Sequence, residues 1–133
     1  MKKLGLATLS LVVSLAFAGC SEPEPVDETV NGELTDDDPR VDQDDSPYDE
    51  YTFEAGEGWT ITGDMQSTAF DTYVWLIGPD GNSLVQDDDG GDGTNSRFSH
   101  TTTQSGTYTI RANSYDGAGR GAYTLHYTAS SGN

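Results

Sequence analysis

Two runs of aspartate are the residues best suited to chemistry in this chain. Asp42, Asp44, Asp45 and Asp49 crowd one stretch; Asp87, Asp88, Asp89 and Asp92 crowd another, among Gly90, Gly91 and Gly93. Calcium takes six to eight oxygen ligands from carboxylates, carbonyls and water. Like charges packed into one loop repel unless a cation neutralises them, and glycine lets a loop turn its carbonyls inward. Asp71, at the start of an apolar run, stands where a strand end supplies a further oxygen. A calcium site is therefore expected among Asp45, Asp49, Asp71, Asp87, Asp88 and Asp89. Neither run has EF-hand spacing or its final glutamate. The plain alternative is that both are solvated acidic loops, the usual fate of charge runs.

Other chemistry has less to work with. His100 and His126 are the only histidines, and each sits beside threonines in a strand-like pattern. No cysteine and histidine cluster has zinc spacing, and no serine lies in a nucleophile elbow. Carboxylate pairs for glycoside hydrolysis are so plentiful that none stands out. The expectation is a protein that is not an enzyme. Binding has a second candidate in the aromatics Trp59, Tyr73 and Trp75, with Tyr115 and Tyr127. Exposed, they form a platform for sugar rings or a peptide; buried, they are core or cross-strand pairs.

Cys20 is the only cysteine, which excludes an intramolecular disulfide. Before it come Lys2 and Lys3, the only lysines, and an apolar stretch ending in Ala18 and Gly19. A basic start, an apolar centre and small residues at the exit mark a secretory signal over residues 1–19. The run Ala16-Phe17-Ala18-Gly19-Cys20 resembles the lipobox of bacterial lipoproteins, with phenylalanine where that pattern prefers leucine. The resemblance implies a covalent lipid on Cys20, palmitate among its acyl chains, and a place in the cell envelope anchored to the membrane. Ser21 is a second residue that permits sorting to the outer membrane in a Gram-negative cell.

These side chains need elements to hold them. Residues 20–46 read as the lipidated cysteine and an acidic, proline-containing tether, in which 30–35 has the pattern of a short first strand. Low hydrophobicity with high charge does not offset the entropy of ordering. From residue 47 to 129 the texture changes. Tyr51 and Phe53, Trp59 and Ile61, Tyr108, Ile110 and Ala112, and Tyr123, Leu125 and Tyr127 each alternate with polar residues. Period-two patterning of aromatic and β-branched residues predicts half-buried strands. The run Thr72-Tyr73-Val74-Trp75-Leu76-Ile77 is apolar on both faces and reads as a central strand. Its Tyr73, Trp75 and Ile77 share one side and Val74 and Leu76 the other. The fold class expected is all-β: an antiparallel, jelly-roll-like β-sandwich of about seven to eight short strands, followed by a disordered tail at 130–133.

Seven pieces in order then resemble one family. They are Asp49-Glu50-Tyr51-Thr52-Phe53, Trp59-Thr60-Ile61, Phe70-Asp71-Thr72-Tyr73-Val74, Pro79-Asp80-Gly81, Asp87-Asp88-Asp89, Gly106-Thr107-Tyr108-Thr109-Ile110 and Gly121-Ala122-Tyr123-Thr124-Leu125. The order resembles the bacterial pre-peptidase C-terminal domain family over most of the globular part. The resemblance implies a non-catalytic β-sandwich that assists exported proteins. Relatives in bacterial collagenases bind calcium, and by that likeness Asp49 is the best-matched ligand, Asp45 a poorer one beside Pro47. Asp87 stands where the family's loop has asparagine. The module is expected to stand without an attached peptidase.

The formal net charge is −17, and the arginines 40, 97, 111 and 120 are the only basic residues after Lys3. No basic patch exists for nucleic acid or anionic lipid. The sequence thus points to a lipid-anchored envelope protein carrying a binding or accessory module for a protein, peptide or glycan. The competing readings are a structural envelope lipoprotein without a discrete ligand and an enzyme of unrecognised type.

Overall fold

A computed structural model of the protein describes residues 22–115 and 117–132. The signal at 1–19 and Cys20 lie outside the described residues. The strands are β1 (Val26–Leu34), β2 (Tyr48–Ala55), β3 (Thr60–Gln66), β4 (Thr72–Ile77), β5 (Ser83–Asp87), β6 (Ser96–Thr101), β7 (Gly106–Ser114) and β8 (Gly121–Ser130). They form two four-stranded antiparallel sheets, ordered β1-β8-β3-β6 and β2-β7-β4-β5. Every connection except β4 to β5 crosses from one sheet to the other, so the two sheets are wound together as a β-sandwich.

Alternation sets the core. Phe53 and Ala55, Ile61 and Met65, Val74 and Leu76, Tyr108, Ile110 and Ala112, and Tyr123, Leu125, Tyr127 and Ala129 all point inward and are buried. Trp59 joins them, 3% exposed, at the end of the sandwich where β2 passes to β3. Its carbonyl accepts the Thr102 N–H at 2.8 Å, and its own N–H donates to Thr102 Oγ1 at 2.9 Å. Gly63 leaves room on the inner face for the Phe98 ring, which a Cβ there would meet at 2.4 Å.

The first strand is longer and earlier than its sequence suggests. β1 begins at Val26, not 30, and pairs along its whole length with β8, from Val26 opposite Ala129 to Leu34 opposite Gly121. Val26, Val30 and Leu34 face the core, while Asp27, Glu28 and Glu33 mask that alternation with charge. Charge is what an edge strand needs to resist pairing with another chain. Nor are residues 35–47 a tether. Val41, Ser46 and Pro47 are buried, Tyr48 N–H donates to the Pro39 carbonyl at 3.0 Å, and Val41 N–H to that of Ser46 at 2.9 Å. Asp36 accepts from Arg120 Nε at 2.8 Å. The segment left between Cys20 and the fold is residues 21–25. At the other end β8 runs through Ser130, which pairs with Thr60.

Register fixes which residues share an end. Val26, Thr60, Thr101 and Ser130 lie together in the first sheet. The short connections from Ala55 to Thr60 and from Thr101 to Gly106 put Ala55, Gly106 and Ile77 at that same end in the second. The opposite end gathers Leu34, Tyr48, Thr72, Asp87, Ser96, Ser114 and Gly121.

Candidate functional site

The outer face of the second sheet carries an aromatic cluster at this opposite end. Tyr48 on β2, Tyr73 and Trp75 on β4, and Tyr115 just after β7 occupy it. Strand register makes two rows. Tyr48, Asn113 and Tyr73 lie side by side in one. Glu50, Arg111, Trp75 and Gln86 make the next. Tyr73 touches Trp75 edge to face at 5.6 Å between ring centroids and Tyr115 at 5.9 Å, the geometry that the positive ring edge and negative ring face favour. Tyr115 is 52% exposed; Tyr48, Tyr73 and Trp75 are half-buried.

Hydrogen bonds hold these rings in place. Asn113 is buried, and its side-chain carbonyl accepts the Trp75 indole N–H at 3.2 Å. Its amide nitrogen donates to Ser46 Oγ at 2.9 Å and to the Pro47 carbonyl at 2.8 Å. One side chain thus ties the 35–47 loop to the aromatic strand. The Tyr73 hydroxyl donates to Gln86 Oε1 at 2.6 Å, and the Tyr115 N–H to the Asp71 carbonyl at 2.8 Å. Arg111 lies over Tyr48, 4.2 Å from its centroid, and 5.2 Å from that of Trp75, while Glu50 accepts from its Nε and Nη2 at 3.0 and 2.8 Å. The face already holds one cation between rings and carboxylate.

Both acidic loops border this cluster. Partial burial raises the Tyr73 hydroxyl above the usual tyrosine range, the negative charges of Asp88, Asp44 and Asp87 add to it, and so does the neighbouring Tyr115. The loop from 88 to 95 is braced by its own backbone. Asp87 Oδ2 accepts the N–H groups of Gly90 at 2.7 Å and Arg97 at 2.9 Å. Ser96 Oγ donates to the Asp88 carbonyl at 2.8 Å and lies 2.6 Å from Thr72 Oγ1 at the root of β4.

The expected calcium ligands are not brought together. Asp45 faces Arg40 at 3.1 Å, Asp49 accepts from the Tyr123 hydroxyl at 2.6 Å on the inner side of β2, and Asp87 caps its loop. Asp71 precedes β4. Among the described residues no group of three or more histidine, cysteine, aspartate or glutamate side chains is placed to hold a metal ion.

Of the three expected ligand-binding aromatics, Tyr73 and Trp75 sit in the cluster and Trp59 does not. Trp59 alternates with Thr60 and falls on the core side with Ile61, so it fills the sandwich instead of standing on it. Tyr48, Arg111, Asn113 and Gln86 were not singled out by sequence. The alternation of Arg111 with Ile110 and Ala112 marks it as outward, but only register shows that Trp75 and Glu50 flank it. The outer face of the first sheet is different in kind. Asp64, Arg97 and His126 line a shallow depression there, already paired as Arg97 with Asp64 at 3.1 Å and His126 with Asp27 at 2.8 Å. Thr62 and Thr128 join hydroxyls beside them.

No family model and no curated protein matches the chain. Among solved structures it is similar to PliG of Aeromonas hydrophila, a periplasmic lysozyme inhibitor of g-type lysozyme. The two are 14% identical, with 87% of this chain and 93% of that one covered and a TM-score of 0.59. At this identity the likeness shows a shared fold.

Proposed function

We propose that this protein is a non-catalytic, protein-binding module of the bacterial cell envelope, lipid-anchored through Cys20, that captures and inhibits a lysozyme. The observation that carries the binding reading is the braced, partly exposed aromatic cluster at the acidic end of the sandwich. Tyrosine and tryptophan with an ordered arginine are the residues that dominate protein interfaces. The inhibitor reading draws on the likeness to PliG, which extends over nearly the whole of both chains. The ordered motifs shared with the pre-peptidase C-terminal domain family agree with an accessory role rather than a catalytic one. Inhibition needs no catalytic group here, because blocking a substrate cleft is a matter of surface fit.

The test is titration of g-type lysozyme with the mature protein while clearing of a peptidoglycan suspension is followed. Lytic activity falls to background near a one-to-one ratio. Undiminished clearing with the protein at about 100 μM, a concentration that saturates a micromolar complex, overturns the inhibitor reading.

A further inference from the structure

The chain enters the fold at one end of the sandwich and carries its aromatic and acidic side chains at the other. Residues 21–25 lead from Cys20 to Val26, which lies beside Ala129 and, across β8, near Thr60. Five residues reach at most about 20 Å. β1 then runs nine residues away from that point, roughly 30 Å at the rise of a strand. Where it finishes stand Tyr48, Tyr73, Tyr115, the 35–47 loop and the 88–95 loop. The connections that remain at the anchored end, 56–59, 78–82 and 102–105, expose no large aromatic ring among the described residues.

We infer that the end of the sandwich opposite Cys20 is a docking surface for a cationic segment of a soluble protein, seated on Tyr73, Trp75 and Tyr115 and held by Asp44, Asp87 and Asp88. The inference rests on the protein-binding reading and adds the partner's chemistry and direction of approach. Charge complementarity selects the occupant. The net charge is −17, and Asp44, Asp87 and Asp88 are the carboxylates whose field reaches Tyr73. Asp44 and Asp87 each have an oxygen turned to backbone N–H groups of their own loops, so their positions are set before a partner arrives. Aromatic faces attract ammonium and guanidinium groups, and Arg111 shows that arrangement built within the chain itself, between Tyr48, Trp75 and Glu50. An anionic lipid surface is repelled by the same charge. With the short segment 21–25 holding the opposite end near the bilayer, the cluster faces the aqueous side, where a soluble partner reaches it.

The experiment uses the mature protein with Trp59→Phe, which leaves Trp75 as the only fluorophore of its kind. A tetra-arginine peptide is titrated at low and moderate salt, with tetra-glutamine as the neutral control, and g-type lysozyme inhibition is measured in parallel. Expected are a saturable change in Trp75 emission with tetra-arginine, weakened by salt, and little change with tetra-glutamine. The pairs Tyr73→Ala with Tyr115→Ala, and Asp44→Asn with Asp88→Asn, each weaken it by roughly tenfold or more. Glu57→Gln, at the anchored end, leaves it as it was. A thermal melt of each variant separates lost binding from lost folding, and the single Tyr115→Ala variant stands in where the double one melts early. If both peptides act alike, or if folded cluster variants bind as the parent does, the docking surface is overturned. Peptide binding at the cluster without lysozyme inhibition sinks the lysozyme reading alone. Inhibition that survives the cluster variants leaves that reading standing and overturns this one.

Discussion

The phenol of Tyr123 on β8 donates to Asp49 Oδ2 on β2 at 2.6 Å and lies 2.5 Å from the hydroxyl of Tyr51. This chain of three polar groups bridges the two sheets inside the sandwich. It has room because residue 32 is glycine: a Cβ there would come within 2.4 Å of the Tyr123 ring and hydroxyl. Burial holds the Tyr123 hydroxyl far above the ordinary tyrosine range, and the neighbouring Tyr51 and Asp49 push it further. A raised folded pKa stabilises the native state fully at pH values below the unfolded tyrosine value of about 10. That stability is lost as pH climbs above it, because the unfolded chain then releases protons that the folded chain retains. The melting temperature is therefore expected to hold steady from neutral pH to about 9 and to drop beyond 10. Tyr123→Phe costs about 1–2 kcal/mol at pH 7, through the lost hydrogen bonds, and flattens the alkaline fall. An alkaline limb as steep in the variant as in the parent contradicts this account. Tyr73, Tyr108 and Tyr127, raised chiefly by burial as well, leave the variant a residual slope.

Leu34 is expected to behave as a core residue, although it lies in the 20–46 span that reads as a tether apart from a short strand at 30–35. It is 1% exposed at the end of β1, where it joins the main cluster. Leu34→Ala should destabilise by about 2–5 kcal/mol, as buried leucine truncations do, read from denaturant midpoints. A chain begun at residue 36 lacks the edge strand and should not give a cooperative transition. A cooperative melt unchanged in that truncation would restore the tether.

What could be read from the residues alone follows from where alternation is clean. β7 and β8 set tyrosine, isoleucine and leucine strictly against threonine, arginine and histidine, so both strands and their inner faces were legible. β1 has the same period, but Asp27 and Glu33 on its outer side and Glu28, in phase with Val26 and Val30, load it with charge, so only its 30–35 part was legible. β4 is apolar on both faces, and no rule of period two says which is inside. The facing sheet decides it, by burying Val74 and Leu76 and leaving Tyr73 and Trp75 half-covered. The aspartate runs are hard to read for a related reason. Closeness along a strand or loop says nothing of side-chain direction. Asp49 points inward with Tyr51 and Phe53, while Asp45 turns to Arg40 from a left-handed backbone at φ 64°.

Calcium offers a direct check on that geometry. A cation that bound the native state only would raise stability by about 2.7 kcal/mol at a hundredfold excess over its Kd. With Asp49 engaged by Tyr123 and Asp87 by two backbone N–H groups, millimolar calcium after EDTA should shift the melting temperature by no more than about a degree, the response of a few tenths of a kcal/mol. A rise of ten degrees, abolished by Asp88→Ala, would place a metal site in the 88–95 loop.

Asn113 is the residue on which the aromatic face depends. It is 1% exposed, and its amide spends one acceptor on the Trp75 indole and two donors on Ser46 and Pro47. Asn113→Ala removes all three bonds and leaves the Pro47 carbonyl buried without this donor. The expected cost is about 1–3 kcal/mol. The optical consequence is more specific than the stability loss. Trp59 sits in the core, held through Thr102 at the far end of the sandwich, so its emission should not move. Trp75 loses its indole partner and the loop that steadies it, so its emission should shift to the red and its quenching by acrylamide should increase. Measured in the Trp59→Phe and Trp75→Phe backgrounds, the two tryptophans separate cleanly. A shift confined to Trp75 in a folded Asn113→Ala protein confirms that this side chain positions the aromatic face. A shift in both reports general loosening of the sandwich, and no shift in either removes Asn113 from any role at that surface.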